Sequence, residues 1–357
     1  MVTNLEDLPI RDDLRGLSPY GAPQEHVRIQ LNVNENTHSI PEDVATDIVT
    51  ALAAAVMGVN RYPDREFTEL RESLARYLRH GLGPENIWAA NGSNEVLQQI
   101  LQAFGGPGRR VLGFPPTYSM HSIIASGTGT KWVTAERDAE YEISPETVKA
   151  AIECEKPDIV FLCSPNNPTG TLLGLDTIVA AYDSTAGIVV VDEAYGEFTS
   201  GDSALTLLEG RPRLLVSRTM SKAFAFAGAR LGYLAADPAV IDALRLVRLP
   251  YHLSALTQAA AVAALAHAPE MLAMVQDIKS QRDRMITGLI DLGYKPIPSA
   301  ANFVLFGGVE DPQRVFEELL RHGIIIRDVG IAHHLRVTAG NAWETDEFLQ
   351  AMARIGA

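Results

Sequence analysis

The sequence is short of cysteine, of positive charge and of long apolar runs. Its 357 residues include two cysteines, Cys154 and Cys163, without C-x-x-C spacing. That argues against a disulfide scaffold, a zinc site or a redox pair, and predicts two buried thiols in a reducing compartment. Lys and Arg number 30 against 44 Asp and Glu, a net charge of −14. Such a balance suits neither a general binder of nucleic acid nor an anionic membrane surface, though it leaves room for a local basic pocket for a small anion. No uninterrupted apolar stretch approaches the roughly 20 residues that span a bilayer. The richest, 255–268, is broken by Gln258 and His267 and predicts a buried helix. The opening MVTNLEDLPIRDDLRG is acidic and lacks an apolar core, so no secretory signal is expected and a cytoplasmic location is. G-x-G-x-x-G, the Walker lysine loop, G-x-S-x-G and H-E-x-x-H are all missing. His333-His334 is a tempting metal pair, but adjacent residues converge poorly on one ion without further ligands, so no metal is expected.

What is present is ordinary globular composition, 46% apolar and 21% charged. The length is about twice that of a usual domain, which favours one large domain plus a smaller one. Residues 1–40 are rich in Pro, Asn and Gly and predict an extended arm. A helix begins at Pro41, with Val44, Ile48, Leu52 and Ala55 on its apolar face. Another is expected over 66–80, stopped by Gly81 and Gly83. Short apolar, β-branched runs follow at 87–90, 111–114, 131–134, 159–163, 188–191, 214–217 and 231–235. Helical patterns such as 94–104, 145–153 and 176–182 lie between them. Strands apolar on both faces and separated by helices predict an α/β fold, a mostly parallel sheet sandwiched by helices. Long helices fill 238–292. The last segment alternates strand-like 302–306, 324–327 and 335–338 with helices, as a small α+β domain would. The expected division is an arm over 1–40 packing with the small domain, a large domain over 41–250 and the small domain over 251–357.

Ligands of such sheets bind at the carboxyl ends of strands. The residues following the runs there are Asn91-Gly92-Ser93-Asn94, Pro115-Pro116-Thr117-Tyr118, Ser164-Pro165-Asn166-Asn167, Asp192-Glu193-Ala194-Tyr195 and Arg218-Thr219-Met220-Ser221-Lys222. Taken singly each has a plain reading: an N-cap, a turn, a capping carboxylate, a surface lysine. Together they offer small hydroxyl residues, an aromatic, an amide, a carboxylate with a phenol, and a lysine. That set fits a phosphorylated aromatic ring carrying an electrophilic carbon.

The motifs SPNNPTG, VVDEAYGEF and RTMSKAFAFAGARLGY resemble the fold-type-I aminotransferases dependent on pyridoxal 5′-phosphate. More narrowly, LNVNEN, RYPD, NGSNE, PPTYSMH and HLRVTAG resemble the histidinol-phosphate aminotransferases of the actinobacterial type. The resemblance implies that Lys222 joins the cofactor covalently, that Asp192 pairs with its ring nitrogen, and that Tyr195 and Asn167 hold its phenolic oxygen. It implies Tyr118 stacked on the ring, and Arg230, Thr219, Ser221, Ser93 and Asn94 around the phosphate; Asn94 replaces an Asp of many relatives. Tyr62 would reach the cofactor phosphate of a neighbouring subunit, which implies a homodimer with shared sites. Arg336 would bind the substrate anion, with Tyr20, Arg327 and Asn34 as further substrate-side matches. For Arg327 an ordinary ion pair with a nearby acid such as Asp328 is the competing expectation.

The implied reaction moves an amino group between histidinol phosphate and 2-oxoglutarate, giving glutamate, in histidine biosynthesis. An aromatic amino-acid aminotransferase acting on phenylalanine or tyrosine shares nearly all these motifs and is the nearest rival. A related phosphate-substrate decarboxylase is a further one. Effector domains of transcription regulators also share the fold, but they carry a DNA-binding module for which an arm of about 30 residues is too short.

Overall fold

The computed structural model describes residues 4–16, 19, 21 and 23–356. The elements, in order, are β1 (Ile29–Gln30), α1 (Glu42–Val56), α2 (Thr68–Leu78), β2 (Ile87–Ala90), α3 (Ser93–Phe104), β3 (Arg110–Gly113), α4 (Met120–Gly127) and β4 (Lys131–Thr134). Next come α5 (Pro145–Glu155), β5 (Ile159–Cys163), α6 (Leu175–Ser184), β6 (Ile188–Asp192), β7 (Leu214–Thr219) and β8 (Gly232–Ala235). The chain then runs through α7 (Pro238–Val247), α8 (Ala255–Ala266), α9 (Ala268–Asp291), β9 (Lys295–Pro296), β10 (Phe303–Gly307), α10 (Pro312–Arg321), β11 (Ile324–Ile325), β12 (Leu335–Thr338) and α11 (Ala342–Ile355).

The apolar runs assemble into a seven-stranded sheet ordered β2-β8-β7-β6-β5-β3-β4. β7, β6, β5, β3 and β4 are mutually parallel, and β8 is antiparallel to both β2 and β7. The carboxyl ends of β2, β3, β5, β6 and β7 therefore share one edge, and β8 begins at that same edge. Gly232 lies opposite both Ala90 and Thr219, which brings Arg230 to the edge from the other direction. β5 is buried along its whole length, as a strand covered on both faces must be.

A second sheet orders β12-β10-β9, all antiparallel. β1 pairs in parallel with β11, Ile29 against Ile324, so the start of the chain docks on a strand from near its end. Leu31 extends this pairing: its N–H bonds to Ile325 and its carbonyl accepts from Thr338.

Several expectations shift. The helix expected over 66–80 starts at Thr68, because the Asp64 carboxylate accepts the Glu66 and Thr68 N–H groups and holds the preceding turn outside the helix. The strand expected over 324–327 is split. Ile324 and Ile325 pair with β1, whereas Arg327 exchanges backbone bonds with Arg336. Helix α4 was not marked by the sequence pattern, nor were β1 and β9. The apolar stretch 255–268 forms α8 and turns at His267 into α9. Among the described residues no single helix is long and apolar enough to cross a membrane. Cys163 is buried but Cys154 is exposed, which corrects the expectation of two buried thiols.

Candidate active site

A cavity of about 600 Å³ opens where the strand ends meet. Of the residues singled out from sequence, Asn34, Ser93, Asn94, Tyr118, Asn167, Asp192, Tyr195, Thr219, Ser221, Lys222, Arg230, Arg327 and Arg336 all line it. Tyr62 does not: it is exposed on the surface, its ring stacked on Tyr251 at 4.4 Å. Tyr20 lies outside the described residues. In an acidic chain the lining is locally basic, with Lys222, Arg230, Arg327 and Arg336 against Glu35, Asp192 and Asp328.

One end of the cavity is an anion cradle. Helix α3 begins at Ser93 behind Gly92 (φ 88°), which has no side chain to cap it; α1, α2, α4, α6 and α9 likewise lack a side-chain cap, but α3 alone of these points its first residues, Ser93 and Asn94, into the cavity together with Arg230. Its first N–H groups, at the positive end of the helix dipole, are left for a ligand. Gly92-Ser93-Asn94 thus forms the N-terminus of α3, as the plain reading expects, and also lines the cavity. Gly232 lets the strand pass beneath that turn, since a Cβ there would meet the Ser93 nitrogen at 2.1 Å. The Arg230 guanidinium lies beside Gly92, steadied by the Ala227 carbonyl at 2.9 Å. Thr219 donates its hydroxyl to Ser221 Oγ at 3.0 Å and accepts the Ser221 N–H at 3.1 Å.

At the floor, Asp192 is buried. Its Oδ1 accepts the Ala194 N–H at 3.2 Å, and its Oδ2 lies 3.0 Å from His121 Nε2. His121, in the first turn of α4, was not among the sequence candidates. It stands three residues after Tyr118, and only the fold brings it to Asp192. Tyr118 donates its hydroxyl to Asn94 Oδ1 at 3.1 Å.

The Tyr195 phenol accepts from Asn34 Nδ2 at 2.9 Å and Asn167 Nδ2 at 3.2 Å. Both amides are oriented from behind. Asn167 Oδ1 takes a bond from Arg336 Nη1 at 2.6 Å, and Asn34 Oδ1 one from Thr338 at 3.1 Å. With both lone pairs engaged, the phenol keeps its proton to donate into the cavity. Burial pushes its pKa up, opposed by the charge of Arg336.

Lys222 is half-buried, with Nζ donating to the Val33 carbonyl at 3.0 Å. Desolvation, then repulsion from Arg336 and Arg230, lowers its pKa to about 8 against the attraction of Glu35. An amine of that pKa is both a nucleophile and a base near neutral pH. Arg336 is buried over the Phe303 ring, with Nη2 donating to the Asn32 carbonyl at 2.8 Å. Among the described residues Arg327 forms no ion pair with Asp328; both line the cavity. The ensemble suits a flat ring that carries a phosphate, a basic ring nitrogen, a phenolic oxygen and a carbon open to an amine.

Comparison with known proteins points the same way. The family described as aminotransferase class I and II matches residues 27–354. The histidinol-phosphate aminotransferase of Paenarthrobacter aurescens (strain TC1) is 62% identical over 98% of this chain and 95% of its own length. That of Thermobifida fusca (strain YX) is 54% identical over 98% of this chain and 96% of its own. Among solved structures, the histidinol-phosphate aminotransferase from Sinorhizobium meliloti in complex with pyridoxal-5′-phosphate matches with a TM-score of 0.87. It is 27% identical and the match covers 97% of both chains.

Proposed function

The chain belongs to the class I and II aminotransferases, and from that premise we propose that it transfers the amino group of L-histidinol phosphate to 2-oxoglutarate. The products are imidazole-acetol phosphate and L-glutamate, the pathway is L-histidine biosynthesis, and the cofactor is pyridoxal 5′-phosphate. The observation that carries this reading is Lys222 lining one cavity with Asp192, Tyr195, Arg230, Arg336 and the N-terminus of α3, a set that suits a phosphorylated ring; desolvation and the two arginines lower the pKa of its amine.

The residues present fit that cofactor. The α3 N–H groups, Arg230, Ser93, Asn94, Thr219 and Ser221 would hold its phosphate, Asp192 its ring nitrogen, Tyr195 and Asn167 its phenolic oxygen, and Tyr118 its face. When bound, it supplies the electron sink for charge developing on the substrate α-carbon. The protein does the rest. Lys222 would take the substrate α-proton and deliver it to the cofactor carbon that bears the amino nitrogen, a task suited to an amine that loses its own proton near neutral pH. Asp192, held by His121 and the Ala194 N–H, offers a fixed carboxylate to a protonated ring nitrogen. Tyr195, whose oxygen already accepts from Asn34 and Asn167, would donate its proton to the phenolic oxygen. Arg336 presents a planar fork that suits either a phosphate or a carboxylate, so one wall serves both substrates in turn. Arg327 and Asn34 complete that wall, and Tyr20 is carried as a substrate-side residue on the sequence resemblance alone.

The division of labour follows the chain. Residues 41–250 hold the cofactor, and residues 251–357 with the arm of 1–40 hold the substrate anion. The working form is a cytoplasmic homodimer in which Tyr62 serves the partner's site.

Purified protein should take up pyridoxal phosphate and show a visible absorbance that borohydride abolishes. A colourless protein that cannot be reconstituted would remove the cofactor assignment. Side-by-side kcat/KM values should favour histidinol phosphate over phenylalanine and tyrosine; the reverse order would make it an aromatic aminotransferase.

A further inference from the structure

Behind the cavity wall lies a buried ionic cluster that the chemistry above leaves unused. Successive residues of a strand point to opposite faces. Asp192 and Thr219 line the cavity, so their neighbours Glu193 and Arg218 are directed away from it. There Arg218 donates to Glu193 Oε2 from Nη2 at 2.7 Å and from Nε at 3.1 Å, and to Glu197 Oε1 from Nη1 at 3.2 Å. Ser203 Oγ donates to Glu193 Oε2 at 2.6 Å, and the Ala204 N–H to Oε1 at 2.7 Å. Tyr77 and Tyr233 donate to Glu197 Oε1 at 3.3 and 3.5 Å. Burial and the Glu197 carboxylate push both phenols up, so they remain donors.

Glu193 and Glu197 bracket Tyr195, and one guanidinium grips both. It also packs directly on the residue after Tyr195: a Cβ on Gly196 would meet Arg218 Nη2 at 3.0 Å and Cζ at 3.1 Å. A buried ion cluster is a poor source of stability, because the cost of desolvation offsets the attraction. Its directional bonds are nonetheless well suited to fixing a turn. We propose that Arg218 is a positioning residue which, through Glu193 and Glu197, holds the Asp192–Tyr195 segment in register with the ring of pyridoxal phosphate. This rests on the cofactor reading above. The phenol proton and the carboxylate would be presented from the front of a turn clamped from behind.

The test compares Arg218→Lys and Glu197→Gln with Arg213→Lys. Arg213 bonds the Thr185 and Gly187 carbonyls beside the far end of the same strand, away from the cavity. Three quantities are read: the thermal midpoint, the affinity of the cofactor-free protein for pyridoxal phosphate, and the pH midpoint of the bound cofactor's visible absorbance. Arg218→Lys should weaken cofactor affinity on the order of 10-fold, the loss of a charged hydrogen bond or two. It should also move the pH midpoint by about half a unit or more. Glu197→Gln, which keeps the shape of the cluster, should move both in the same sense by less. Arg213→Lys should lower the thermal midpoint alone. If Arg218→Lys behaves like Arg213→Lys, the cluster is only structural and the proposal is wrong. Should Arg218→Lys not fold, Glu197→Gln decides: an unchanged affinity and midpoint overturn the proposal. Wild-type protein that bound no pyridoxal phosphate would instead overturn the cofactor reading, and this inference with it.

Discussion

Lys222 and Arg336 repel each other in one cavity, yet their loss should have different effects. Lys222→Ala should bring turnover close to background while the fold and the phosphate cradle persist, which activity and cofactor titration would separate. The amine also leaves a mark on stability. Its pKa is about 8 in the folded chain and 10.5 as the ordinary value. Below pH 8 the fold carries the cost of a partly desolvated ammonium, at most on the order of 3 kcal/mol. Between those values the unfolded chain binds more protons, so stability rises with pH. Without cofactor, Lys222→Met should therefore melt higher than wild type at neutral pH, with a gap that closes as pH climbs through that window. A gap independent of pH in calorimetry would refute the lowered pKa. Arg336→Ala removes an anion anchor and also frees Asn167, which orients Tyr195. Both half-reactions should lose roughly 2–5 kcal/mol in kcat/KM, with the bound cofactor's absorbance retained. Impairment of one half-reaction alone would show that the two substrates use different anchors. Lys222, Asp192 and Tyr195 could be read in the sequence because each follows an apolar run at a sheet edge. His121 could not, because its partner Asp192 is distant in sequence and no local pattern links them.

The apolar strands were legible as elements, since burial on both faces leaves an unbroken β-branched run. Helix α4, packed beside the edge strand β4, carries only His121, Ile124 and Ala125 as buried residues and shows little periodicity. β1 and β11 pair through two residues each, too few for any alternation. The element on which the proposed phosphate binding rests is α3, and its weak point is Gly232. A methyl group there would collide with the Ser93 nitrogen, which is backbone and cannot swing aside. Gly232→Ala should displace the first turn of α3, lowering the thermal midpoint and weakening pyridoxal phosphate binding more than it alters KM for 2-oxoglutarate. Equal affinity in a titration of the cofactor-free variant would mean that Arg230 alone holds the phosphate.

For the whole molecule, strand order was the least legible feature, because it depends on contacts between distant segments. The surface carries its own indication of assembly. Met57, Tyr62, Leu246 and Leu249 are 84%, 79%, 86% and 76% exposed. The Tyr62–Tyr251 stack and the ion pair of Arg248 with Glu66 tie their loops together. An apolar surface of this kind fits the proposed dimer contact. Mixing Lys222→Ala chains with Tyr62→Phe chains should give activity that neither homodimer has, whereas a fully active monomer in sedimentation would exclude shared sites. On the ribosome, β2 to β8 emerge with the cradle and Lys222 already encoded, while the arm waits for its partners. Asn34 is held by Thr338 and Asn302, and Leu31 by Ile325, all translated much later. A chain halted before β10 would own a cofactor cup without a substrate wall. On the proposed assignment the late-made segment works as a licence: an interrupted product would lack Arg327 and Arg336 with which to grip an amine donor, and only a nearly finished chain would begin transamination.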